Sequence, residues 1–305
     1  MQKYIILFFI SVFSVCQAKN DLINKDYTIF GMKEPASLGS FFSTLGNDPI
    51  FFNPVSVAFI TDNRIIIGYT QSDVGDGYLI SWTSPNFSIS NARHIANLQE
   101  SNYSEYRKDL LKFCFAFSNI DFGLNFGNIL LSSGIAVKHI SDRLFDGAGA
   151  EFGGNALSID LGFHLSWDVL DFELAILNIN SPRIGGTDLN YARGVSLCLR
   201  YQSPSGFMIG MQGITSDSYA GSDIGINLAA QQSFLDHRLT SRIQLTSFFK
   251  GTEAIMQNIS AGIGYRPQFP EKYSAFQDIE FSYALSFLSL PQTVGTHLLV
   301  LTKYF

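Results

Sequence analysis

Along the second half of this 305-residue chain, apolar and polar residues alternate with period two in segment after segment, a pattern that suits a pleated strand with two chemically different faces and suits no helix. In the clearest segment Leu157, Ile159, Leu161, Phe163, Leu165 and Trp167 share one face, and Ser158, Asp160, Gly162, His164 and Ser166 share the other. The pattern returns with Val195, Leu197, Leu199 and Tyr201 against Ser196, Cys198, Arg200 and Gln202. It returns again with Ile279, Phe281, Tyr283, Leu285 and Phe287 against Asp278, Glu280, Ser282, Ala284 and Ser286. Each segment is close to the roughly 9 to 11 residues that a tilted strand needs to cross a bilayer.

Charged residues on the polar faces give the alternation a direction. Asp160, His164, Arg200, Arg242, Arg266 and Glu280 all fall opposite apolar neighbours, which fits a polar lumen lined by these side chains better than a dry sandwich core. The expected fold is therefore all-β, a closed antiparallel transmembrane barrel of about 14 strands. A soluble sandwich, apolar inside and polar outside, has the same alternation. On the barrel reading Leu161→Arg faces lipid and is costly, while Asp160→Asn beside it costs little.

Strands are expected near 54–61, 63–71, 77–84, 111–119, 128–141, 155–167, 170–179, 193–203, 206–216, 221–233, 237–249, 256–267, 275–288 and 294–305. The polar stretch 85–109 reads as the largest external loop, with Asn91 capping a short helix through Ala92, Ile95 and Leu98. Counting directions back from a last strand that ends in the periplasm places short turns at 168–171, 203–205 and 234–237 on that side. Longer loops at 142–154 and 180–192 then lie outside, which is the usual asymmetry of such barrels. Trp167, Phe172, Tyr201, Phe207 and Tyr265 gather near the periplasmic strand ends as an aromatic girdle. Cys114 and Cys198 fall on strands four apart, too distant for a disulfide.

The chain begins with a basic Lys3, an apolar run from Tyr4 to Val15, and Cys16-Gln17-Ala18. This reads as a secretory signal peptide over residues 1–18, cleaved after Ala18 and directing the product to the bacterial outer membrane. The run is short for a membrane anchor, and Val15 before Cys16 suits lipoprotein processing poorly. Residues 19–53 form a separate N-terminal segment, and the barrel is expected over 54–305. A net charge of −6 argues against a nucleic-acid partner.

Before the first expected strand the chain reads Ala36-Ser37-Leu38-Gly39-Ser40-Phe41, then Gly46-Asn47-Asp48-Pro49-Ile50-Phe51-Phe52-Asn53-Pro54-Val55-Ser56. This resembles the N-terminal signature of FadL-like and PorV-like outer-membrane barrels. Further similarity lies in Leu161-Gly162-Phe163, Ala175 to Ile179, Gly262 to Arg266, and Gly295-Thr296-His297 leading to a terminal Tyr304-Phe305, the barrel's C-terminal signal. The resemblance implies outer-membrane lipid and the barrel-assembly machinery as partners. It also implies a luminal hatch carrying Gly39, Gly46, Asp48, Pro49, Asn53 and Pro54. Those residue types make turns whose side chains bond to neighbouring backbone. The PorV-like form implies a non-enzymatic barrel of a secretion system that binds exported protein partners, and this is the leading expectation for function. The FadL-like form implies a passive channel for hydrophobic small molecules.

An outer-membrane enzyme needs a nucleophile, a base and an orienting group together, and the sequence contains no Gly-x-Ser-x-Gly, His-x-x-x-His or Cys-x-x-Cys. His164 and Asp160 share a face but lie about 13 Å apart along a strand. The glycine-rich stretch 147–154 lacks phosphate-loop spacing and reads as a mobile external loop. No catalytic residue, cofactor or metal site is expected.

Overall fold

The computed structural model describes residues 53–72, 75–97, 103–117, 129–146, 148–149, 151–181, 193–218, 221–235, 238–250, 253–269, 278–289 and 293–305. One short 3-10 helix, η1 (Pro54–Phe59), precedes fourteen strands. These are β1 (Arg64–Ser72), β2 (Gly75–Ser84), β3 (Phe87–Asn97), β4 (Tyr103–Phe117), β5 (Ile129–Asp146), β6 (Glu151–Trp167) and β7 (Leu170–Leu177), followed by β8 (Gly194–Gln202), β9 (Phe207–Ser218), β10 (Gly221–Phe234), β11 (Leu239–Lys250), β12 (Glu253–Tyr265), β13 (Ile279–Ser289) and β14 (Thr293–Tyr304). Every strand pairs antiparallel with its sequence neighbours. β1 pairs with β14 from Arg64↔Tyr304 to Ser72↔Thr296, which closes the barrel.

The apolar face points outward. On β1 and β2, Ile65, Ile67, Tyr69, Tyr78, Ile80 and Trp82 are exposed, whereas Ile66, Leu79, Ser81 and Thr83 between them are buried. The same holds on β6, where Leu157 is 58% exposed and its neighbour Ser158 is fully buried. A wall of exposed leucine, isoleucine and aromatic side chains around a buried polar interior inverts the order of a water-soluble sandwich. On β6 the outward apolar run goes from Leu157 to Trp167. Ten residue steps of about 3.3 Å, tilted by about 40°, give an apolar band about 25 Å tall, the height of a membrane barrel's band. Hydrocarbon covers this band, and each large side chain it covers contributes about 1.5–3 kcal/mol.

The proximal rim, where β1 begins and β14 ends, carries an outward aromatic ring. Trp82, Phe115, Trp167, Tyr201, Phe207, Tyr265 and Phe305 are exposed there, and Phe87 bridges Trp82 (ring centroids 5.7 Å apart) and Phe115 (5.1 Å). Two tight hairpins at this rim, β2–β3 and β6–β7, turn at Asn86 and Asp168, which sit in the left-handed region that their short polar side chains tolerate.

Four expectations are corrected. Residues 54–61 form no strand; Pro54–Phe59 is helical, because Asn53 caps it and Pro54 supplies the fixed φ of a first helical position. Residues 85–109 are no loop; β3 and the first part of β4 occupy them, and Asn91 is paired in mid-strand opposite Leu111. The strand count is right because these two differences cancel, and the directions of the first two genuine strands are accordingly reversed. Residues 142–154 are mostly strand, with only 147–150 between β5 and β6, so the glycine-rich stretch is half within β6. The expected loop asymmetry holds only in part: β6–β7, β8–β9 and β10–β11 are joined closely at the proximal rim and β7 and β8 are far apart in sequence at the distal one, but the ends of β4 and β5 and of β12 and β13, also widely separated in sequence, lie at the proximal rim. Cys114 and Cys198 are buried free thiols on β4 and β8, four strands apart as expected.

Leu161→Arg, midway along the outward face of β6, is expected to lower the unfolding free energy from a bilayer by about 2–4 kcal/mol. Reversible denaturation in lipid vesicles measures it. A change below about 1 kcal/mol contradicts the outward assignment.

Candidate functional site

Across half the barrel the inward side chains of one register row are apolar. Val300 pairs with Gly68, Gly68 with Leu79, Leu79 with Ala92, Ala92 with Leu110, Leu110 with Ile140, and Ile140 with Ala156, a continuous ladder over β14, β1, β2, β3, β4, β5 and β6. Leu79, Ala92, Ile140, Ala156 and Val300 are buried, and Ile66 and Ala284 pack beside them. The facing wall is polar. Ser196, Gln212, Asn227, Gln244 and Ser260 are buried there, and Gln212 Nε2 donates to Ser196 Oγ (2.7 Å) while Asn227 Nδ2 donates to Gln212 Oε1 (2.9 Å).

One step towards the proximal rim on β4 and β5, Lys112 and Lys138 face each other in register, both directed inward. Like charges placed directly opposite destabilise a sheet. Asp160 of β6 relieves this pair: its Oδ1 lies 2.7 Å from Lys138 Nζ and its Oδ2 lies 3.7 Å from Lys112 Nζ. Asn178, just past β7, completes the cluster. Its left-handed backbone (φ 51°) lets its N–H donate to Asp160 Oδ1 (2.9 Å), while its own Oδ1 accepts from Lys138 Nζ (2.8 Å) and Ser158 Oγ (2.7 Å). The sequence expectation that Asp160 is a freely replaceable lumen residue is therefore revised.

Below this cluster the wall is made of small residues in register, Ala116, Gly134, Gly162 and Ala175. The segment from Asn53 through η1 lies on this platform. A Cβ at Gly162 would meet Asn53 Oδ1 at 1.9 Å, and one at Gly134 would meet the Val55 nitrogen at 2.6 Å, so only glycine admits the segment at these positions. Asn53 Oδ1 accepts from the Val55 N–H (3.2 Å), the local side-chain-to-backbone bond expected of this residue, and Asn53 Nδ2 donates to Glu173 Oε2 (3.3 Å). Val57 and Ile60 bury against Cys114, Ala116 and Ala136, and the Asn86 N–H donates to the Val57 carbonyl (3.0 Å). Glu173 belongs to a second charged set. Arg200 donates through Nε and Nη2 to Asp171 Oδ2 (3.1 and 2.8 Å), its Nη1 lies 3.2 Å from Glu173, and His164 Nε2 lies 3.2 Å from Asp171 Oδ1. His164 is thus engaged across β6 and β7 and not along its own strand.

At the proximal end Tyr304 turns inward, its hydroxyl donating to Glu280 Oε2 (2.9 Å), with the Arg266 guanidinium 3.9 Å and the Arg64 guanidinium 5.5 Å from its ring centre. Arg266 sits just past β12 and not within it. Arg242 donates to Gln231 Oε1 (2.9 Å), and Phe305 faces outward. Of the six hatch-motif residues, Asn53 and Pro54 are described; Gly39, Gly46, Asp48 and Pro49 lie outside the described residues, as do residues 1–52. Among the described residues no three His, Cys, Asp or Glu side chains are grouped to hold a metal. Lys112, Lys138, Glu173 and Asn178 escaped sequence reasoning because cross-strand register, which joins them, is not written in any one strand. Gly134 and Gly162 left a signal, glycine at interior positions where the alternation calls for polar side chains.

No family model matches the chain, and no curated protein matches it. Several solved structures do. The toluene transporter TbuX of Ralstonia pickettii superposes with a TM-score of 0.56 at 8% identity, covering 86% of this chain and 94% of that one. The CymD monoaromatic hydrocarbon channel gives 0.53 at 10% identity, covering 86% and 94%. The toluene transporter TodX of P. putida gives 0.51 at 10% identity, covering 85% and 94%. At these identities the likeness is one of fold.

Asp160→Asn is expected to lower stability by about 3 kcal/mol, because it leaves the buried Lys112 and the partly buried Lys138 facing each other. Adding Lys112→Met should recover most of the loss. Urea unfolding in lipid measures both, and an Asp160→Asn barrel as stable as the parent contradicts the ion-pair geometry.

Proposed function

We propose that this protein is a non-enzymatic outer-membrane channel through which hydrophobic small molecules pass passively. The observation that carries the proposal is the apolar row from Val300 to Ala156, inward apolar contact that continues across seven adjacent strands. Water gains nothing from such a row, whereas an aromatic or aliphatic solute passing it gains about 25 cal/mol for each Å² of its own apolar surface taken out of water. The polar wall opposite satisfies part of its own hydrogen bonding through the Ser196–Gln212–Asn227 ladder, so it offers a solute few competing partners. The fold is also that of barrels whose names state the transport of toluene and monoaromatic hydrocarbons, which supports the same reading.

The secretion-partner reading, the first expectation from sequence, has less support, since the similar folds are named as transporters and channels. In our reading residues 1–18 are a removed leader, and residues 19–60 form the plug whose last part is the described segment Asn53–Ile60 on the glycine platform. Tyr304 and Phe305 serve as the C-terminal assembly signal, Phe305 from the outside and Tyr304 through its inward bond to Glu280.

Uptake of radiolabelled toluene by Gram-negative cells carrying the protein in their outer membrane tests the channel. Leu79→Asp, in the middle of the row, should reduce the protein-dependent uptake about tenfold, since a desolvated carboxylate costs more than the 1.4 kcal/mol this factor represents. Uptake unchanged by the substitution, or no greater than in cells without the protein, overturns the proposal. Removal of residues 38–52 with β1 kept should raise single-channel conductance in planar bilayers. Equal conductance of full-length and shortened chains removes the plug and leaves the channel.

A further inference from the structure

The outward face changes character sharply at the distal edge of the apolar band, and the change follows the register. On β4 the outward side chains Phe115, Phe113 and Leu111 give way to Asp109, Arg107 and Glu105. On β6 the apolar run stops at Leu157, and Asn155, Gly153 and Glu151 follow. Successive rows beyond the band read Arg93–Asp109–Ser141–Asn155, then Ile95–Arg107–Arg143–Gly153, then Asn97–Glu105–Phe145–Glu151, across β3, β4, β5 and β6. These outward positions adjoin a surface that hydrocarbon covers, so they lie at the depth of the lipid headgroups.

Three guanidiniums at that depth are held in place by neighbours that leave donors over. Arg93 pairs through Nε with Asp109 and lies 5.7 Å from the Tyr78 ring centre. Arg107 donates through Nη2 to Glu105 (2.9 Å) and stacks on Phe145 at 5.2 Å. Arg143 donates through Nε to Ser141 (3.1 Å) and through Nη1 to Glu151 (2.6 Å). Each carboxylate or hydroxyl takes one donor of the fork, and each guanidinium has five. The side chains are between a third and two-fifths exposed, so each guanidinium keeps N–H groups open to a ligand from outside, although Arg107 Nε itself is buried. A planar fork fixed by a carboxylate on one edge, and for Arg93 and Arg107 by an aromatic face, is a preorganised donor to phosphate oxygens.

We propose that Arg93, Arg107 and Arg143 bind the phosphorylated headgroup of a lipid in the leaflet at the distal rim, whose acyl chains lie against the adjoining apolar band. The site rests on the membrane reading of the barrel and is separate from the lumen. Its ligand needs phosphate oxygens and chains together, which distinguishes it from free phosphate.

The test uses the full chain in phosphatidylcholine nanodiscs with or without a minor fraction of lipid A, whose disaccharide carries phosphates, and native mass spectrometry to count retained lipid. Wild-type protein should retain lipid A in preference to phosphatidylcholine, and excess inorganic phosphate should not displace it. The triple variant Arg93→Gln, Arg107→Gln, Arg143→Gln should lose at least tenfold in retention, the loss expected when charge-assisted hydrogen bonds are removed. Lys303→Gln, an outward cation at the opposite rim, should lose none. If the triple variant does not assemble, Arg93→Gln alone should still lower retention severalfold. Retention equal in wild type and the arginine variants, an equal loss with Lys303→Gln, or displacement by phosphate alone each overturns the proposal. A wild-type chain that does not enter nanodiscs overturns the membrane reading and this site with it, whereas insertion without retention overturns this site alone.

Discussion

The pairing of β1 with β14 is the interaction on which the rest depends. Inside hydrocarbon an unpaired backbone N–H or carbonyl costs several kcal/mol, so a sheet can cross only if it has no edge. Once Arg64 to Ser72 lie against Tyr304 to Thr296, every strand has two neighbours, and the pleat assigns each residue to lipid or lumen by parity alone. That is why a single period-two pattern yields both the apolar band and the polar interior. A one-residue slip in any strand would exchange the two faces and place a residue such as Asp160 or Arg200 in lipid, at a cost no local packing offsets.

With the faces fixed, the interior becomes a problem of satisfying charge and filling space. The structure solves it in tiers. Apolar contact on β1–β6 comes first, then the Lys112–Lys138 pair joined by Asp160 and Asn178, then the platform of Gly134 and Gly162 that receives Asn53 and η1. The tiers are coupled. Glu173 accepts from Asn53 and also neighbours Arg200, so the charged set of β6–β8 helps to hold the segment that narrows the lumen. The same strands that carry the platform, β4 to β6, are the longest, and their extra length carries the arginine rows beyond the band.

What was legible in the sequence was whatever depends on parity within one strand. The alternation from Leu157 to Trp167 placed β6 and both its faces, and the later strands followed in the same way. The failures have physical causes. β3 does not show as a strand in the sequence because Asn91 and Arg93 face outward at and beyond the band's edge, where a polar residue on the lipid side is inexpensive and the alternation that marks a spanning strand is lost. Residues 54–61 look like a strand because most of them are apolar, yet Val57 and Ile60 are apolar in order to pack inside on Cys114, Ala116 and Ala136. The ion pairs were invisible for a different reason, since Asp160 meets Lys138 and His164 meets Asp171 only through cross-strand diagonals. Of the N-terminal motif only Asn53 and Pro54 are among the described residues, and there Asn53 bonds to the Val55 N–H and to Glu173.

The direction of the two faces is reported by the chain's two tryptophans without any substitution, because Trp82 and Trp167 both sit on the outward face near the proximal rim, 45% and 44% exposed. In vesicles whose acyl chains are brominated, the account predicts strong quenching of the tryptophan fluorescence and little quenching by aqueous iodide. Strong iodide quenching with no effect of brominated lipid would place these faces in water and contradict it.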